Sequence, residues 1–169
     1  MIERRPFEDL PGEDLGWLKA RWHFSCAAQT GPSPSGWGCV RVWNDEEIAP
    51  NAGFALQVRA NMEIIIYVRE GAVTHRDSLG NDGRVEAGSI QVVSAGTGIR
   101  HAEYNLEQAP ARICQMWITP ASSGGSPAWG FNLVPRPNAL DVSGQSRVAL
   151  TATATHCRFG LAPACLAPG

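Results

Sequence analysis

His101 and Glu103 are the residues whose types and spacing most clearly suggest chemistry. They close the run 94–103, Ser-Ala-Gly-Thr-Gly-Ile-Arg-His-Ala-Glu, and a separation of two puts both side chains on one face of a β-strand. An imidazole beside a carboxylate is a ligand pair for one divalent ion such as Fe, Mn, Ni or Zn. Two donors do not complete such a site, so at least one further imidazole or carboxylate is expected from a neighbouring strand.

These two residues need a strand to carry them and a turn to aim it. Gly96 and Gly98 allow a sharp entry that points His101 inward. Around them, short apolar runs alternate with Gly, Pro, Asn and Asp, the punctuation of an all-β sandwich or barrel. Strands are predicted over residues 40–43, 63–69, 72–76, 84–86, 89–93, 99–104 and 112–119. The run 79–83, Leu-Gly-Asn-Asp-Gly, carries two dipeptides that accept positive φ in tight hairpins. Ile64-Ile-Ile-Tyr-Val68 is apolar on both faces and suits a central strand covered by a second sheet. Residues 14–21 have room for one short helical turn before a strand at Trp22, and residues 30–38, rich in Gly, Pro, Ser and Thr, read as a loop.

The missing ligands point to residues 53–63, Gly-Phe-Ala-Leu-Gln-Val-Arg-Ala-Asn-Met-Glu, which run straight into that apolar strand. Together with Glu70-Gly71, His75-Arg-Asp-Ser-Leu-Gly-Asn81, Gly88, Gln91 and residues 94–105, this order resembles the pirin family of cupins. Trp22-His-Phe-Ser25, Val40-Arg-Val-Trp-Asn-Asp45 and Gln115-Met-Trp-Ile118 resemble the family's amino-terminal strands and the strand closing its first barrel. The resemblance extends from about Arg5 to Phe131. It implies an all-β cupin, a double-stranded β-helix or jelly-roll barrel, in which three histidines and a glutamate hold a metal. Two of those histidines form a His-Pro-His motif. In this chain Gln57 and Arg59 stand in their places, while His101 and Glu103 match the other two ligands.

That departure changes the chemistry. Gln57 offers a weak neutral oxygen, and Arg59 is a permanent cation with no acceptor, unable to ligate a metal. Positions 57 and 59 share a face, so one expectation is a cation swap, in which an Arg59–Glu103 ion pair replaces the metal. The alternative is that Arg59 points to solvent. Glu63 is a further candidate, because ordinary cupins use a glutamate at the matching place, and two carboxylates in one pocket need a cation between them.

Among the remaining candidates, His75 reads as a surface strand histidine and His23 as a packed amphipathic residue. His156 sits in an unassigned tail. Cys114 reads as a small core residue, and Trp43 and Trp117 as core residues.

The chain has 169 residues, 44% hydrophobic and 18% charged, with net charge -2. That is one soluble globular domain. No apolar run approaches the roughly 20 residues of a membrane helix, and no signal-type apolar stretch follows the start, so a cytoplasmic location is expected. Basic residues are scattered, which excludes an electrostatic footprint for nucleic acid. Five cysteines without a Cys-x-x-Cys pair suggest reduced thiols. Residues 1–136 read as one cupin domain. Residues 137–169, rich in Ala, Thr, Pro and Gly, do not resemble the family and are too short for the second cupin that the resemblance implies. A natural single-cupin branch and loss of a second half both account for that. Bare apolar surface then predicts a homodimer.

Two functions of different class follow. If metal binds, the resemblance implies a quercetinase-type dioxygenase acting on a flavonol or related enol-bearing aromatic, with Glu103 or Glu63 as general base. If no metal binds, the chain is a degenerate cupin acting as a binding module for a small aromatic ligand or a partner, or a non-functional remnant.

Overall fold

The computed structural model describes residues 6–24 and 36–134. The tail over 137–169, His156, Cys26, Cys157 and Cys165 lie outside the described residues, as does most of the expected loop at 30–38.

Apart from one 3-10 turn at Phe7–Asp9, the described elements are strands: β1 (Gly12–Asp14), β2 (Leu18–Phe24), β3 (Val40–Ile48), β4 (Ala52–Arg59), β5 (Glu63–Glu70), β6 (Ala72–Asp77), β7 (Asp82–Glu86), β8 (Ser89–Ser94), β9 (Ile99–Asn105), β10 (Ala111–Ile118) and β11 (Ala128–Leu133). They form a seven-stranded sheet in the order β1-β2-β3-β10-β5-β8-β11 and a four-stranded sheet in the order β4-β9-β6-β7. Every pairing is antiparallel. The two sheets face each other as a cupin jelly roll, without hydrogen-bonded closure into a continuous barrel.

The apolar strand behaves as its composition demands. β5 lies between β10 and β8 in the large sheet, and Ile64, Ile66 and Val68 point into the core with Val73, Val85, Ile99 and Ile113. Each such side chain contributes about 1.5–3 kcal/mol on leaving water. Asn105, fully buried at the end of β9, ties the strand connections together. Its amide nitrogen donates to the carbonyls of Ile48, Ala49 and Ala109 at 2.9–3.2 Å, and its side-chain oxygen accepts from the Glu107 amide at 3.0 Å.

Two turns set up the site. At the β6–β7 hairpin, Gly80 takes φ of 88°. Asp77 Oδ1 accepts the backbone N–H of Leu79 at 2.9 Å and of Asn81 at 3.1 Å. Ahead of β9, Gly96 takes φ of 48°, and a Cβ there would lie 2.1 Å from the Gly125 carbonyl oxygen, so only glycine fits.

Several expectations are corrected. Residues 18–21 are strand, not helical turn: β2 starts at Leu18, where Leu18 and Ala20 face the core in period two. β3 continues past Trp43 to Ile48. β1, β4 and β11 were not marked by apolar alternation; β4 and β11 bury little on either face.

Candidate metal centre

Period two builds a cavity between the sheets. It has a volume of about 230 Å³ and takes Leu18, Ala20 and Trp22 from β2, Val42, Asn44 and Glu46 from β3, Gln115 and Trp117 from β10, Gln57 and Arg59 from β4, and His101 and Glu103 from β9. Within each strand these residues alternate, so each contributes one face. Phe54 also lines the cavity, although its separation from Gln57 is odd. A β-bulge between them explains this: Phe54 pairs with Glu103 and Gln57 with His101, so β4 carries one extra residue.

The expected pair is brought together. His101 and Glu103 are buried, and His101 Nδ1 lies 3.9 Å from Glu103 Oε1. Gln57 sits directly opposite His101. Arg59 points to neither expected place. Its guanidinium donates to Gln57 Oε1 and to the Val58 carbonyl, and lies 4.7 Å from the centroid of the Trp117 ring. Glu103 Oε1 instead accepts the Gln91 amide. No Arg59–Glu103 ion pair forms among the described residues. Glu63 faces Ser94, whose hydroxyl donates to it at 2.5 Å, and does not line the cavity. The four-donor arrangement implied by the resemblance is therefore not reproduced, since two of its places hold an amide and a cation.

His75 is the main correction. Expected on the surface, it is fully buried, directly across from Glu103 in the β6–β9 pairing. Its strand reads Ala72-Val73-Thr74-His75-Arg76-Asp77, polar from Thr74 onward, so only parity with buried Val73 marks the inner face. His75 Nε2 lies 3.0 Å from Asp77 Oδ2, and its ring stacks on Trp129 at 4.6 Å between centroids. His75 Nδ1 lies 3.9 Å from Glu103 Oε1. His75, His101 and Glu103 thus offer three ligand atoms within 4.8 Å of one another, a grouping able to hold a divalent ion. The Nδ1 atoms of both histidines are buried without a hydrogen-bond partner, which costs about 1–3 kcal/mol each if nothing binds there. Burial holds the His101 imidazole below its usual range, with His75 and Arg59 adding to the effect against the pull of Glu103. Burial also works to raise the Asp77 carboxyl, but hydrogen bonds from Asn81, His75 and the Leu79 and Asn81 amides outweigh it and hold that group low.

The second carboxylate of the cavity is Glu46, which the strand reading missed. It is only 7% exposed and accepts Asn44 Nδ2 and Gln115 Nε2, each at 2.9 Å. Burial pushes it up to about 7, against those two bonds and with help from Glu103 and Asp45. Its signal was parity: Val42, Asn44, Glu46 and Ile48 share a face, and Ile48 is fully buried.

Of the other candidates, His23 packs on Trp43 and lies 2.9 Å from Asp45 Oδ2. Cys114 is buried, which raises its thiol, and it and Cys39 are free. Trp43 is not core but 39% exposed, and Trp117 forms cavity wall.

The Pirin family model matches residues 4–118. The chain belongs to the pirin family. It is 58% identical over 136 residues to a pirin-like protein of Caulobacter vibrioides, covering 80% of this chain and 59% of that one. It is 42% identical over 154 residues to quercetin 2,3-dioxygenase of Escherichia coli K12, covering 85% and 66%. The crystal structure of YhhW from Escherichia coli superposes with a TM-score of 0.74 at 38% identity, over 78% of this chain and 57% of that one. The structure of bacterial pirin YhhW in complex with nickel(II) gives a TM-score of 0.72, also at 38% identity, over 76% and 56%. This pirin-family chain therefore spans less than two thirds of the length of these relatives. Among its described residues no helix is long and apolar enough to cross a membrane.

Proposed function

We propose that this pirin-family domain binds a small planar aromatic molecule in the cavity between its sheets and has little or no dioxygenase turnover. The observation that carries this reading is Arg59: it stands in a ligand place, is bonded to Gln57 and is laid against Trp117, so a permanent cation stands on the strand next to His101, where a metal ligand would be. Trp22, Phe54 and Trp117 supply flat apolar walls, and Glu46, Gln115 and Arg59 supply polar groups for hydroxyl or carbonyl oxygens. The cavity volume, about 230 Å³, lies below the roughly 300–1,000 Å³ common for drug-sized ligands. That favours a ligand smaller than a full flavonol. A cytoplasmic location belongs to the same reading and rests on the bacterial relatives.

The test restores the family's residues. The double variant Gln57→His, Arg59→His, supplied with ferrous iron, is expected to oxidise quercetin at least about 10-fold faster than the unaltered chain, in keeping with the sensitivity of metal sites to their surroundings. Oxygen consumption reads the rate. An unaltered chain as fast as the double variant overturns the proposal.

A second reading, a metal-dependent quercetinase, is favoured by the name of the Escherichia coli relative and by Glu46. A divalent metal, when bound in such an enzyme, polarises the enol oxygen. The residue here that suits proton abstraction is Glu46, a cavity carboxyl brought near neutrality. Glu103, the base expected from the sequence, is instead held by Gln91 between two imidazoles.

A further inference from the structure

Three acceptor atoms lie together at the floor of the cavity, and the only one to which the surrounding protein donates is Glu103 Oε1, from the Gln91 amide. Asp77 acts as an ionised acceptor: Oδ1 takes the Leu79 and Asn81 backbone N–H groups, and Oδ2 takes the Asn81 side-chain amide at 2.9 Å. His75 Nε2, 3.0 Å from the same Oδ2, must then be the protonated nitrogen. In the neutral imidazole that leaves His75 Nδ1 as an acceptor, and it is fully buried and without a partner. It lies 3.9 Å from Glu103 Oε1, which also only accepts when ionised. His101 Nδ1, likewise buried and unpartnered, lies 3.9 Å from the same oxygen. A proton on either nitrogen would not bridge that gap, because N–H···O bonds need about 3.2 Å or less between heavy atoms. A metal ion would: two bonds of about 2.1 Å at a tetrahedral angle set their donors about 3.4 Å apart, close to what is seen.

We propose that His75 Nδ1, His101 Nδ1 and Glu103 Oε1 form a binding site for a divalent transition metal. The site draws its third donor from β6 in place of the donors that β4 has lost, and so lies on the far side of His101 and Glu103 from Arg59. Two imidazole nitrogens and one carboxylate select zinc, nickel, cobalt or ferrous iron over magnesium or calcium. The surroundings are those that metal-bound histidines require. Asp77 holds the outer nitrogen of His75 and fixes its tautomer. Trp129 fixes the ring plane by stacking at 6° and donates its Nε1–H to Gln91 Oε1 at 3.2 Å, while Gln91 donates to Glu103. The His75 ring and the Glu103 carboxylate are thereby held before any ion arrives. The site does not depend on what the cavity binds.

The test uses the full chain without an affinity tag. It is stripped with chelator, incubated with zinc or cobalt(II) and desalted, and metal per chain is read by elemental mass spectrometry. One ion per chain is expected. His75→Gln should weaken binding by more than about 100-fold and Asp77→Asn by about 10–100-fold, whereas Glu86→Gln, exposed at the end of β7, should leave it unchanged. ¹⁵N-histidine NMR of the unaltered zinc-loaded chain reads the ligands without any variant, should His75→Gln fail to fold. It should show His75 coordinated through Nδ1 with Nε2 still protonated, and His101 coordinated as well. Absence of bound metal, metal retained by folded His75→Gln, or a His75 signal unmoved by zinc would each overturn the proposal.

Discussion

Burial pushes the Glu46 carboxyl up to about 7, although Asn44 and Gln115 both donate hydrogen bonds that favour its charged form. The unfolded chain ionises this group near 4.5. Between those values the folded chain holds a proton that the unfolded chain has released, so Glu46 contributes full stability below about 4.5 and loses it as pH rises to about 7. The expected loss is at most on the order of 3 kcal/mol. Urea unfolding across that window should show falling stability, and Glu46→Gln should flatten the slope; an unchanged slope counts against a neutral buried Glu46. Asp77 acts with the opposite sign, because its carboxyl is held low: its contribution is present above about 3.8 and is lost in more acid solution. The two windows do not overlap, so one titration separates them. At this scale His101 and Glu103 were legible, because a shared face follows from a spacing of two. Glu46 and His75 were missed, because a polar side chain carries no hydrophobic mark of its own and only its parity with Ile48 or Val73 places it inside.

Among the elements, the entry to β9 decides where His101 points. Gly96 combines a left-handed φ with a backbone contact that leaves no room for a Cβ. Its carbonyl also accepts the Asn61 N–H at 2.8 Å, and Thr97 donates to Gly125 at 2.8 Å. Gly96→Ala is expected to cost about 2 kcal/mol or more, seen as a lower urea midpoint, and to weaken any metal bound at His101; a midpoint equal to the parent's would refute the steric reading. Glycine punctuation made this turn and the β6–β7 hairpin readable in advance. The bulge in β4 was not readable, because nothing in Phe54-Ala-Leu-Gln57 announces an extra residue; the pairing with β9 imposes it. The strand β3 was read short for a related reason: Asn44 to Glu47, ahead of its last residue Ile48, are polar and look like a loop until β2 and β10 are placed on either side.

At the scale of the whole molecule, apolar side chains stand exposed on the edge strands of the described sheets. Leu56 and Val58 on β4 are 59% and 67% exposed, and Phe131 and Leu133 on β11 are 45% and 70% exposed. Among the described residues both strands pair on one side only, and unpaired edges with apolar side chains favour association. We propose that a second copy of the chain covers one of these edges. Light scattering is expected to give about twice the 18.1 kDa of the chain, and a monomer at micromolar concentration would refute it.

Sequence alone determined the fold class, the family, most of the strands and one half of the site, because period-two alternation, glycine turns and the spacing of His101 and Glu103 are local properties of the chain. Tertiary structure decided the rest. It brought His75 to Glu103 across the β6–β9 pairing, set Glu46 in the cavity and turned Arg59 onto Gln57 and Trp117. Each of those outcomes depends on which strand lies beside or opposite another, and a polar side chain is buried only where such a neighbour satisfies it.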